Sequence, residues 1–402
     1  MDLKSGYPFW AIKNGLMYAF PKLEQSVSCD VLVIGGGITA ALIAHTLSAA
    51  ALDVVIVEQR DVAWGSTAAS TAMLQYEIDS DLVDLAKRIG EPEAARIYAA
   101  CAQAIPQLQA IAREVGDVDF AMKSSLYAAS SWLHVHHLEK EFAIRSKHGL
   151  EVEWLSRSEL RKRFDIGYPG AILSALGAQV DPYRMASRLL QKLRKAGVRV
   201  FDRTRIASIA PSSKSVLCTT DTGLGLRAKH VVVAAGYATQ KWLAKSVATN
   251  RSSYAYVTDP LGADALGIWR DTLFWETARP YLYARTSADA RLVIGGEDDA
   301  IDIAARRDLR VARKVARLQK RAQRLWPSLN LDPAYAWAGT FAETADGLPF
   351  FGAHKQYGAR VLFAMAFGGN GITYSAIGAD LILAAIQRRK HPLAQCFGFE
   401  RI

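Results

Sequence analysis

The residues best suited to chemistry in this chain begin with the turn Gly35-Gly36-Gly37-Ile38-Thr39-Ala40, which follows the apolar run Val31-Leu32-Val33-Ile34. Its spacing is that of a pyrophosphate cradle. Gly35 permits a tight turn, Gly37 lets the backbone approach a phosphate, and Ala40 lets a helix pack closely on the preceding strand. The first N–H groups of that helix then face the anion. A second apolar run, Val54 to Val57, ends in Glu58-Gln59, where a carboxylate roughly twenty residues past the glycines accepts from ribose hydroxyls. Its charge repels a 2′-phosphate, which favours FAD or NAD over NADP. Near the other end of the chain, Gly368-Gly369-Asn370-Gly371 leads into Ile372 and Thr373, a second turn aimed at a helix N-terminus and a second place to stabilise negative charge.

These residues need strands and helices to hold them. Val31–Ile34, Val54–Val57, His230–Ala235 and Val361–Met365 read as buried strands. The alanine-rich segment after Gly37 reads as the first helix; it holds His45 and the glycine turn, so it is better used in a dinucleotide fold than as a membrane span. Asp181-Pro182 looks like an N-cap and first helical position, closed by Gly197, and Ser156 with Glu159 has capping-box spacing. From Tyr254 to Glu297 the pattern changes to alternating strands, predicting a separate antiparallel sheet. There Tyr281, Tyr283 and Arg285 share one face at period two, and Tyr254 and Tyr256 repeat the pattern.

At 402 residues the chain is long enough for two structural units. No Pro, Gly or Ser-rich linker separates them, so the units are expected to interleave. Cys29, Cys101, Cys218 and Cys396 lie far apart, without a C-x-x-C pair, which argues against zinc, iron–sulfur or disulfide frameworks and fits a reducing cytoplasm. The N-terminal segment lacks an apolar h-region, so a secretory signal is not expected. The net charge of +10 is concentrated between Arg306 and Arg324, where nine Lys or Arg face the single acid Asp308. Arg306, Arg310, Arg313, Arg317, Lys320 and Arg324 would form one stripe on a helix, with Leu309, Val315, Ala322 and Leu325 turned away. That stripe is either a solvated face or a landing surface for an acidic partner. No recognised module or aromatic interleaving points to nucleic acid.

With these residues in view, the chain resembles the D-amino-acid-oxidase-like FAD-dependent oxidoreductases (the DAO family). The resemblance rests on Asp30 to Ala40, Glu58, the Gly65-Ser66-Thr67-Ala68-Ala69-Ser70-Thr71 run, Val231 to Gly236, Trp337-Ala338-Gly339 with Asp346-Gly347-Leu348-Pro349, and Gly368 to Thr373. It implies an α/β fold: a Rossmann-like, discontinuous FAD-binding domain (1–85, 151–245 and 335–402) with an interleaved α+β substrate domain (86–150 and 246–334) whose antiparallel sheet roofs the flavin. It further implies that Gly35, Gly37, Ile38 and Thr39 hold the pyrophosphate and that Glu58 and Gln59 hold the ribose. Ser66, Thr67, Ser70 and Thr71 would meet the pyrophosphate and flavin edge. The backbone of Arg205-Ile206 would pass the adenine, Ala235-Gly236 would lie beside the cofactor, and Gly369 to Thr373 would meet the pyrimidine end.

Two departures bear on substrate. Glycine oxidase and its near relatives carry a carboxylate-binding arginine where this chain has Phe341, so a distant or absent substrate carboxylate is expected unless Arg285 or Arg279 takes over. Sarcosine oxidase has an oxygen-activating lysine where this chain places Val293, and its covalent flavin attachment finds no matching cysteine here, so FAD is expected to be non-covalent. The implied reaction passes a hydride from the C–H of a small-molecule amine or amino-acid-like substrate to flavin N5, followed by imine hydrolysis and reoxidation by oxygen or another acceptor. Tyr281, Tyr283 and Arg285 would form the substrate roof, Phe341 a wall, and Tyr254 and Tyr256 secondary contacts. Phe9 and Trp10 either close the entrance or anchor an N-terminal arm. Glu343 and Asp346 either steer a cation or, for Asp346, hold a turn. Two alternatives stay open: dehydrogenation of a hydroxy acid or polyol, which wants a base such as His45 or His354, and a flavin electron-transfer subunit docking an acidic partner.

Overall fold

A computed structural model describes residues 2–401. Val27–Ile34 and Val54–Val57 pair in parallel, with Ile34 opposite Val57. Their inner residues are almost fully buried, as expected of strands covered on both faces. They are the centre of an eight-stranded sheet whose main path runs Phe350–Ala353, Val361–Met365, Gly225–Val233, Val27–Ile34, Val54–Val57 and Arg199–Phe201. All these pairings are parallel except that of the edge strand Phe350–Ala353. Helices Ile38–Ala49, Pro182–Lys195, Gly371–Ile386 and Glu91–Val115 contribute to one large core with this sheet. Both expected caps form: Asp181 accepts from the Arg184 N–H at 2.9 Å, and Ser156 with Glu159 makes the reciprocal box.

A nine-stranded second sheet follows the order Pro333–Glu343, Thr249–Thr258, Leu292–Asp299, Leu282–Thr286, Thr272–Glu276, Ala121–Ala128, Gly170–Gln179 and Met73–Gln75, with Val152–Ser156 beside Gly170–Gln179. It is antiparallel except between Thr272–Glu276 and Ala121–Ala128. The expected α/β class and separate sheet are therefore present, but the expected division of the chain differs. Segments 152–179 and 335–343 were expected with the first unit and pair into the second sheet, because their hydrogen-bonding edges meet its strands. Helix Glu91–Val115, expected in the second unit, buries Ile97, Cys101, Ile105 and Leu108 in the core of the first.

The single basic helix expected over 306–324 is two helices, Ala304–Asp308 and Val311–Leu325. Leu309 lies in the break and is 86 % exposed, not turned inward. The stripe is also partly neutralised. Lys314, Arg317 and Arg321 pair with Glu297, Arg310 and Lys314 with Asp299, and Arg321 with Glu276. Arg306, Arg313, Lys320 and Arg324 remain exposed. Among the described residues no helix is long and apolar enough to cross a membrane.

Candidate active site

The two sheets meet over one long cavity, and the first glycine turn forms an end of it. The parallel register carries Val57 to the level of Ile34, so the Gly35 N–H donates to the Val57 carbonyl at 2.8 Å and Glu58 arrives beside the turn. Gly35 has φ +124°, and a Cβ there would lie 2.3 Å from the Ala234 carbonyl oxygen. Only glycine fits that backbone. Glu58 accepts from the Gly36 N–H at 2.8 Å and the Arg60 N–H at 3.0 Å. Burial pushes its carboxyl above the usual range while those two N–H groups oppose the shift.

Ser66–Ala69 forms a short helix against the turn, and Thr67 Oγ1 accepts from the Ile38 N–H at 3.0 Å. The buried Ser66 Oγ has no hydrogen-bond partner, an unsatisfied group of the kind a bound phosphate or flavin satisfies. Gly35, Gly37, Ile38, Thr39, Glu58, Gln59, Ser66, Thr67, Ser70, Thr71, Ala235, Gly236, Gly369, Asn370, Gly371 and Ile372 all line the cavity. A backbone cradle, an acid beside it and a second helix N-terminus thus face one elongated space, which fits a dinucleotide of FAD type.

Two of the expected cofactor residues, Ile206 and Thr373, are not among the residues that line the cavity. Ile206 is 5 % exposed and packs with Val55, Val57 and Val216 in the core, because its strand pairs into the outer hairpin of the first sheet. Thr373 turns its hydroxyl to the Gln75 carbonyl at 3.1 Å. That bond ties the helix start to the second sheet instead of facing the cavity.

At the other end, Tyr281, Tyr283 and Phe341 line the cavity as expected. The two tyrosine rings lie 5.5 Å apart, and the Arg279 guanidinium is 5.1 Å from the Tyr281 ring. Tyr283 lies across the strand from Gly295, where an added Cβ would be 2.3 Å from its hydroxyl. Arg285 is not part of this roof. It shares the strand face, but Trp10 covers it at 4.8 Å, and it donates to the carbonyls of Thr71, Val180 and Thr286. Its task is to brace the Thr71 loop. Tyr256 differs from expectation and Tyr254 in part: Gly296 is the cross-strand partner of both Tyr254 and Leu282, so these tyrosines share the Leu282 face and pack with Val315, Leu318 and Ala322. Ser253, Tyr254 and Ala255 line the cavity, and Tyr256 does not.

Trp10, 1 % exposed, donates to the Ser70 carbonyl at 2.7 Å, so the N-terminal segment is an anchor. Asp346 holds its own turn by accepting from Thr344, the Leu348 N–H and Arg401, and Glu343 pairs with Arg251. Neither His45, paired with Glu114, nor His354, packed on Phe399, lines the cavity, and neither does Val293.

Sequence reasoning missed Gln75, Glu77 and Asp79, which line the substrate end together with Trp275 and Ser253. A signal was available. Leu74, Tyr76 and Ile78 are buried apolar positions, so the polar residues between them fall at period two, immediately after the Ser66 to Thr71 run. Gln75 Nε2 and Trp275 Nε1 both donate to Ser125 Oγ, at 3.0 and 3.3 Å, and Asp79 accepts from the Gly369 N–H at 2.7 Å. Among the described lining residues the only cations are Arg60, at the ribose end, and the exposed Arg279.

Residues 30–385 match the family described as FAD dependent oxidoreductase (DAO). The chain is 27 % identical to glycine oxidase of Bacillus licheniformis over 373 residues, covering 88 % of this chain and 93 % of that protein. It is 25 % identical to gamma-glutamylputrescine oxidoreductase of Escherichia coli K12, covering 93 % of this chain and 87 % of that protein. Its fold is similar to the crystal structure of glycine oxidase from Geobacillus kaustophilus, with TM-score 0.77 and 21 % identity over 93 % of this chain and 99 % of that one. A fold built around a dinucleotide cradle and a match spanning most of the sequence lead to one conclusion: the chain belongs to the DAO family of FAD-dependent oxidoreductases.

Proposed function

We propose that this chain oxidises a C–H bond next to an amine nitrogen, and that its substrate carries no carboxylate on that carbon. When bound, FAD supplies the two-electron acceptor for the hydride. The first sheet and its two glycine turns would hold the cofactor without a covalent bond; none of the four free cysteines lines the cavity. The nine-stranded sheet would cover the substrate. Tyr281 and Tyr283 would orient it and exclude water, and Phe341 would bound it on one side.

The observation that carries this reading is the charge of the substrate end. Phe341 stands where the resemblance implies an arginine, the acids Glu77 and Asp79 line the same cavity, and the one lining cation at that end among the described residues, Arg279, is exposed. A carboxylate beside the reacting carbon would meet like charge there, whereas an amine nitrogen would meet opposite charge. A hydroxy acid suffers the same repulsion and lacks a histidine base among the lining residues. The imine would leave for hydrolysis in water. The acceptor that reoxidises the cofactor is oxygen or another oxidant, and a cytoplasmic location is in keeping with the four free cysteines.

Anaerobic mixing of the FAD-loaded protein with panels of alkylamines, α-amino acids, hydroxy acids and polyols tests the proposal. Bleaching of the flavin band by alkylamines ahead of α-amino acids is the expected result. Bleaching by hydroxy acids or polyols alone overturns it.

A further inference from the structure

Beyond Gln75 and Trp275 the cavity wall is formed by Glu77, which is 3 % exposed. Neither of its carboxylate oxygens has a hydrogen-bond partner. The nearest cation is Arg145, whose Nη1 lies 3.5 Å from Glu77 Oε1 without completing a hydrogen bond. Arg145 is engaged elsewhere: its Nε donates to Glu141 at 2.7 Å, and Glu141 also accepts from the Leu82 and Val83 N–H groups at 2.9 and 2.8 Å. Two buried carboxylates therefore share one guanidinium, and the charge left over sits on Glu77, a residue of the cavity wall.

Among the described residues Arg145 is the one cation that acts on the Glu77 carboxyl, and the other lining cation of that end, Arg279, is exposed. Glu141 and Arg145 come from helix Trp132–Lys147, Tyr98 from helix Glu91–Val115, Ser125 and Tyr127 from strand Ala121–Ala128, and Tyr76 and Asp79 from the segment of Glu77 itself. Asn370 donates to the Glu77 backbone carbonyl. Tyr76, Tyr98 and Tyr127 ring the Arg145 guanidinium at 5.7 to 5.8 Å. Burial pushes the Glu77 carboxyl up to about 7, against the opposing pull of Arg145, and Glu141 adds to the rise. An unpartnered buried carboxylate is costly, so the site is completed by a proton or by a cation from the cavity.

We propose that the inner end of the cavity binds the substrate nitrogen, with Glu77 as counter-ion to the ammonium and holder of its proton. This rests on the amine reading above. The ammonium N–H bond breaks with its electron pair left on nitrogen, and the proton forms an O–H bond with Glu77. The neutral amine then loses a hydride from carbon to FAD, so the substrate is oxidised by two electrons and the cofactor reduced by two, leaving an iminium cation. Arg145 acts as a positioning residue, holding the carboxylate at the wall and keeping its proton affinity near that of a neutral solution. The ligand class is a cationic alkylamine without a carboxylate on the reacting carbon.

The test uses the FAD-loaded full chain, Glu77→Gln, and n-butylammonium as probe, with binding read from the flavin absorption spectrum across pH. The protonated-carboxyl band is followed in parallel by infrared difference spectroscopy. In the unaltered protein affinity should rise about tenfold from acid to alkaline conditions with a midpoint near neutrality, as expected for a shift of roughly one unit or more in the linked group, and the infrared band should titrate with it. Glu77→Gln should abolish both dependences and weaken alkaline binding about tenfold at unchanged flavin content. If Glu77→Gln fails to retain flavin, Glu77→Asp should keep the pH dependence with a displaced midpoint. PH-independent binding in the unaltered protein, or a dependence that survives Glu77→Gln, overturns the assignment. Glu77-dependent binding without any bleaching by amines overturns the oxidation reading and leaves this site standing. Bleaching unaffected by Glu77→Gln at every pH overturns this site alone.

Discussion

The two ends of the cavity are built from different materials. The cofactor end is backbone: a turn at Gly35 that no other residue can adopt, helix N–H groups at Ile38 and Gly371, and Glu58 clamped by the N–H groups of Gly36 and Arg60. The substrate end is side chain: two tyrosines, a phenylalanine and the acids Glu77 and Asp79. A backbone site tolerates little change and holds a constant ligand, because glycine at φ +124° has no substitute. A side-chain site is altered by single substitutions without loss of the fold, and it is where members of one family diverge in substrate.

If that contrast is right, the largest effect comes from the backbone end. Gly35→Ala drives a Cβ against the Ala234 carbonyl, and the strain of about 1–3 kcal/mol from backbone alone, with the clash added, should leave the purified protein colourless. Retention of near-stoichiometric flavin by this variant would break the comparison.

Next is the effect of Glu77 on stability. Its carboxyl rises from 4.5 to about 7 on folding. The unfolded chain releases this proton above the lower value and the folded chain only above the higher one. Stability therefore falls as pH rises through that window and is level above it, by on the order of 3 kcal/mol at roughly 1.4 kcal/mol per unit. Urea titrations of the protein and of Glu77→Gln across this window should show the slope in the first and its loss in the second.

Phe341→Arg sharpens the substrate side of the contrast. A guanidinium restored there should improve flavin reduction by glycine or D-alanine about tenfold relative to an alkylamine, the value of one charge-assisted contact. The smallest effect is expected from Gly295→Ala, which pushes Tyr283 out of place. It should lower kcat/KM a few-fold, about 1 kcal/mol of lost packing, with flavin content unchanged.

The same division explains what could be read in advance. Gly35, Glu58 and the capping residues Ser156 and Asp181 act through local geometry, so their spacing was sufficient. Tyr254 shares its period-two pattern with Tyr281, but which face a strand presents depends on its register with Gly296, a partner far along the chain. Arg285 was placed on the right face and then covered by Trp10, from a segment 275 residues away in sequence order, counting from 10 to 285. Glu77 drew no notice because its meaning depends on Arg145 and Glu141, which lie on a separate helix. The partial neutralisation of the 306–324 stripe likewise depends on the distant acids Glu276, Glu297 and Asp299.

The N-terminal arm has a consequence for behaviour in solution. Pro333–Glu343 ends the nine-stranded sheet, and its outer backbone groups are met by the arm: the Ser5 N–H donates to the Ala338 carbonyl at 2.9 Å, Ser5 Oγ accepts from the Ala338 N–H at 2.6 Å, and the Thr340 N–H donates to the Leu3 carbonyl at 2.8 Å. An uncovered strand edge recruits other strands. Residues 2–8 therefore act as a guard against self-assembly, and a chain lacking them should scatter light in proportion to its concentration while the intact chain stays clear.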